Sequence, residues 1–101
     1  MKIVINKTEH AIYAAGTLLV PGTNLLEHFD ETAADVKSFI DGEQLSVGDS
    51  SKMDDKAKKE AVKNANTREA VKGLKKTFKG LDTSEADEKL DRFEDQLKKA
   101  Q

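Results

Sequence analysis

The histidines His10 and His28 are the residues best suited to metal ligation or proton transfer, and their surroundings argue against both roles. A metal site needs three or four ligands converging on one point. Neither histidine has a second His at helical or turn spacing, and the chain has no Cys, so thiolate sites and disulfides are excluded. Carboxylates stand next to each other at Asp30-Glu31 and Asp54-Asp55. Neighbouring side chains on a helix do not face each other, and acidic residues favour helix starts, so both pairs read as capping. Pro21-Gly22-Thr23 falls short of a phosphate loop, which needs several small residues aiming their N–H groups at one anion ahead of a helix; it reads as a β-turn. No Walker A, G-x-G-x-x-G or G-x-S-x-G pattern occurs. Catalysis would require carboxylates, His10 or His28, and Tyr13 to converge from places the sequence does not link. The chain is therefore expected not to be an enzyme, with no catalytic residue, cofactor or metal.

The remaining candidates suit contact. Residues 1–50 carry three basic and eight acidic side chains, residues 51–81 ten and four, and residues 82–101 four and seven, within a net charge of −2. The middle third is a basic block between acidic ones. Its lysines, Lys72, Lys75, Lys76 and Lys79 in particular, form a possible electrostatic footprint for nucleic acid. Only Arg68 among the ten is suited to bidentate base contacts, and the one aromatic of the block, Phe78, is expected in the core, leaving no stacking platform. The acidic flanks are also placed to neutralise the block within the fold. A second surface is apolar: Ala86, Leu90, Phe93, Leu97 and Ala100 recur at spacings of 4, 3, 4 and 3, a narrow stripe of coiled-coil type. Leu90, Phe93 and Leu97 are the candidates for self-association or for a protein partner.

These residues are positioned by an α+β chain. Its 101 residues amount to one domain, or to two very small units sharing a core, 36% charged and 37% hydrophobic, with one Tyr, four Phe and no Trp, a lightly cored composition. Residues 1–20 do not read as a signal peptide, because Lys7, Glu9 and His10 interrupt the apolar residues. The mainly apolar stretch 11–20 is half of the roughly 20 residues that span a bilayer, so no membrane partner is expected. Residues 1–48 predict a small β-rich unit with one helix: strands at 2–6, 11–14 and 17–20, a turn at Pro21-Gly22, an extended or irregular piece at 24–27, and a closing strand at 44–47. The helix is expected from a cap at Asp30 or Thr32 through Asp41, with Val36, Phe39 and Ile40 as its apolar face and Gly42 as its C′ residue. Residues 49–53 read as a linker.

The region 54–101 reads as three helices, at about 54–65, 67–79 and 84–99. At 100° per residue the apolar faces of 57–65 and 71–78 point roughly 140° apart, so a bend at 64–67 is needed to bury both. A short connection at 80–83 then folds the last helix back antiparallel, bringing Leu90 and Phe93 to Leu74 and Phe78. Few large apolar residues serve this hairpin, too few to offset the entropy of ordering it. It must dock on the N-terminal unit, a second copy or a partner.

Residues 18–47 resemble small phage and prophage proteins encoded near head-morphogenesis genes, of the Mu-like accessory type. The matching residues are Val20-Pro21-Gly22-Thr23, Leu25-Leu26, the helix 31–40, Gly42 and Leu45-Ser46-Val47. The resemblance implies a phage-encoded, non-catalytic structural or interaction protein linked to head assembly, in the cytoplasm of a bacterial host cell or associated with the virion. It transfers no functional residues. The second half does not resemble the helix–loop–helix module of some of those proteins, so their nucleic-acid role does not carry over. Nucleic-acid binding by the 52–79 face stands as the alternative.

Overall fold

A computed structural model describes residues 1–100. The chain is an α+β protein: strands β1 (Lys2–Asn6), β2 (Ile12–Ala14), β3 (Thr17–Leu19) and β4 (Gly22–Leu26), helix α1 (Ala34–Asp41), strand β5 (Leu45–Asp49), a 3-10 turn (Ser50–Lys52), then helices α2 (Asp55–Lys63), α3 (Arg68–Thr77) and α4 (Ser84–Lys99). No helix among the described residues is long and apolar enough to cross a membrane.

β1 is the centre of the fold. It pairs antiparallel with β4 on one side and with β5 on the other. Side chains alternate across a strand, so β1 supplies two cores. Ile3 and Ile5 face α2, α3 and α4 and join Ala61, Val62, Val71, Leu74, Ala86 and Leu90. Val4 faces the other way and joins Ile12, Ala14, Leu19, Val36 and Leu45. The helical hairpin thus docks on the N-terminal sheet. β2 and β3 form a separate hairpin, closed by Ala15 and Gly16, both at positive φ, a two-residue turn whose twist matches the strands it joins.

Several expected boundaries move. The piece expected to be extended or irregular at 24–27 lies, as far as Leu26, in the regular strand β4, because β1 provides pairing that Gly22 and Asn24 lack by propensity. α1 starts at Ala34 with no side-chain cap; Asp30 instead accepts from the backbone N–H and hydroxyl of Thr32. Gly42 has φ −82° and Glu43 takes the left-handed conformation at φ +59°. The expected linker 49–53 is ordered into the fold: Asp49 ends β5 opposite Lys2, and its carboxylate accepts from the Ser51 N–H to start the 3-10 turn. Asp54 caps α2, and the cap of α3 is Thr67.

The bend at 64–67 is pinned to β4. Thr23 donates its backbone N–H to the Asn64 carbonyl at 3.0 Å and its hydroxyl to the Ala61 carbonyl at 2.6 Å. Gly22 makes this approach possible. Its φ is +92°, and a Cβ there would lie 2.4 Å from the Asn64 carbonyl oxygen. On the opposite side of β1, buried Asn6 donates to the carbonyls of His10 and Leu19 and accepts from Thr8, holding the β1–β2 loop against the hairpin.

Candidate interaction surfaces

α4 is rooted in the core at one end only. Ala86 and Leu90 are buried, whereas residues 91–100 are all exposed. At 1.5 Å per residue, more than half of this helix of about 24 Å lies without cover. Phe93 is 61% and Leu97 55% exposed. Of the expected hairpin contacts, Leu90 joins Leu74 in the core with Phe78 packed against it. Phe93 stays outside: beside it α3 only begins, at Arg68, and meets α4 there through the charged side chains of Asp91 and Glu94. A depression of about 280 Å³ lined by Asn66, Lys89, Leu90 and Phe93 adjoins the stripe.

Charged side chains join α3 to α4 at this end. The guanidinium of Arg68 reaches Asp91 at 2.6 Å, Glu94 at 3.1 Å and Asp87 at 3.6 Å, and Lys75 reaches Asp87 at 3.7 Å. The carboxylates of Glu94 and Asp91 hold the guanidinium charged well above its ordinary range. Lys89 donates to the Lys63 carbonyl at 2.8 Å and to the Asn66 side chain at 3.0 Å, closing the last turn of α2; burial lowers its pKa.

The predicted basic face is therefore divided. Lys72, Lys75 and Lys76 lie exposed on α3 and Lys79 in the turn after it, although the sequence predicts a helix through residue 79. Lys75 is committed to Asp87, and Lys58 of α2 lies with its ammonium 5.0 Å from the centre of the Phe78 ring, a cation–π distance. Lys72, Lys76 and Lys79 make no ion pair among the described residues.

His10 and His28 are exposed and lie in different loops. No group of three or more His, Cys, Asp or Glu among the described residues is arranged to hold a metal ion. Asp30 serves its own turn, Glu31 pairs with Lys2 at 2.9 Å, and Asp54 accepts from the Ala57 N–H at 2.8 Å. Every buried side-chain polar atom among the described residues has a partner.

One apolar surface escaped the sequence. Tyr13 and Leu18 are opposite each other in the β2–β3 register and are 68% and 60% exposed, with Val20 beside them in sequence also exposed. Period-two alternation groups Tyr13 with Leu18 and Ile12 with Ala14 and Leu19. Both groups are apolar, so alternation alone does not say which faces inward. Sequence comparison adds no assignment: no family model, curated protein or solved structure matches this chain.

Proposed function

We propose that this chain is a non-catalytic accessory protein that works through protein–protein contact, with α4 as its docking element. The observation that carries the reading is the projecting half of α4, where Phe93 and Leu97 continue the stripe of buried Leu90 past the edge of the core. Apolar side chains at i, i+3 and i+7 on an uncovered helix fit a helix-in-groove or helix–helix contact. The resemblance of residues 18–47 supports a phage or prophage setting linked to head assembly, with the protein in the bacterial cytoplasm or on the virion.

The partner to test first is a second copy. The patch is small, so self-association is expected on the order of micromolar affinity or weaker. Sedimentation velocity over a concentration series should show a rising average mass, and Phe93→Ser with Leu97→Ser should abolish the rise. A monomer at all concentrations removes self-association and leaves a heterologous partner. If affinity capture with the wild-type chain and the double variant then recovers identical proteins, the α4 reading fails. Neighbouring genes for a phage major head protein, protease or portal would support the setting, and their absence would count against it.

A further inference from the structure

The lysines of α2 form a different arrangement from those of α3. Lys56, Lys59 and Lys63 stand at i, i+3 and i+7, on one face of α2, spaced about 4.5 and 6 Å along the axis. Lys7 follows Ile3 and Ile5 in the alternation of β1 and so falls on the same side of the sheet as α2. These four lysines line one groove of about 540 Å³, together with Glu60, Asn64 and Glu85. None of the four ammoniums is in an ion pair among the described residues, although two carboxylates line the same groove. The C-terminal end of α2, which closes the groove at Lys63 and Asn64, would repel an anion through the helix dipole. There Lys89 places its ammonium on the Lys63 carbonyl and offsets that end.

We propose that this groove binds a chain of phosphates. Like charges gathered in a concavity focus their field, and a linear polyanion can meet all three lysines of α2 in succession. Ammoniums act as point charges toward phosphate oxygens. The groove has no arginine to form a bidentate fork with carboxylates and no aromatic to stack a base, so recognition falls on the phosphates alone. A single-stranded nucleic acid and a free oligophosphate share this chemistry. This site is distinct from the α4 stripe, and either can fail without the other.

The test is fluorescence anisotropy with a short labelled single-stranded DNA at low salt, with inorganic tripolyphosphate and a poly-glutamate peptide as competitors. Binding should fall about 20- to 50-fold between about 50 and 200 mM salt, the slope for three or four phosphate contacts. Lys56→Gln, Lys59→Gln and Lys63→Gln together should weaken it about tenfold or more, while Lys72→Gln, Lys76→Gln and Lys79→Gln together should change it less than about threefold. Displacement by tripolyphosphate supports a free oligophosphate as the ligand. Binding of DNA that tripolyphosphate does not displace supports a nucleic-acid strand. The proposal is overturned if neither DNA nor, in direct calorimetric titration, tripolyphosphate binds, if both lysine triples lose binding equally, or if poly-glutamate competes as well as either phosphate probe.

Discussion

The guanidinium of Arg68, at the start of α3, lies 2.6 Å from the carboxylate of Asp91, midway along α4. With Glu94 and Asp87 on the same guanidinium, one exposed cation bridges α3 to three carboxylates of α4. Removing it leaves three carboxylates on one face of α4, opposed only by Lys75. Arg68→Gln should lower the melting temperature at low ionic strength, and the difference from wild type should shrink as salt screens the repulsion. Amide exchange should quicken in residues 87–95 before it does in β1. An effect on melting independent of salt would mean that the stem of Arg68, and not its charge, joins the two helices.

Gly22→Ala tests the attachment of β4 to the bend between α2 and α3. The added methyl meets the Asn64 carbonyl and the Asn66 side chain, on a backbone at positive φ. Overpacking and left-handed strain together should cost about 2–4 kcal/mol in chemical denaturation. A loss below about 0.5 kcal/mol would show that the bend moves away freely.

Glu43→Gly should act in the opposite direction. Glu43 holds φ +59° at the end of α1 while Gly42 holds an ordinary helical φ. A left-handed non-glycine residue costs roughly 1–2 kcal/mol, part of which the larger unfolded-state entropy of glycine cancels. The expected outcome is a gain of about 0.5–1 kcal/mol in denaturant unfolding; destabilisation would show that the Glu43 side chain makes a compensating contact.

Asp49 gives an acid-side prediction. The Ser51 hydroxyl and backbone N–H stabilise its carboxylate, lowering its pKa from 3.8 to about 2, with Lys2 adding a smaller effect. A depressed folded-state pKa stabilises the fold fully above the unfolded value near 3.8, and that contribution is lost as pH falls toward 2. An NMR titration should place the Asp49 carboxyl midpoint near 2, with the Ser51 amide shifting in step. A midpoint near 4 would mean that the 3-10 turn is open in solution.

The helical half was legible because its signals are local. The phase conflict between Ala57–Ala65 and Val71–Phe78 predicts a bend that the structure places at residues 64–67, and the 4-3-4-3 stripe gives the inward Leu90. The sheet was harder. Gly22 and Asn24 are poor strand formers that join β4 through pairing with β1, and Gly48 and Asp49 have linker composition but complete β5. The spacing of the surface candidates was readable, but their state was not. Whether Phe93 reaches Leu74, or Lys75 is neutralised, depends on contacts between residues far apart in the chain, as with Arg68 and Glu94. The Lys7 contribution to the α2 groove was hidden for the same reason.

Ile3 and Ile5 look into one core and Val4 into the other, and this has a consequence for synthesis. During synthesis β1 finds its pairing partners only when residues 22–26 and 45–49 have been made, and the cover for its second face only with α2, α3 and α4. Between these two steps the nascent chain carries β1 already paired but with its Ile3 and Ile5 face uncovered. Any early competitor for that strand would intercept both cores at once.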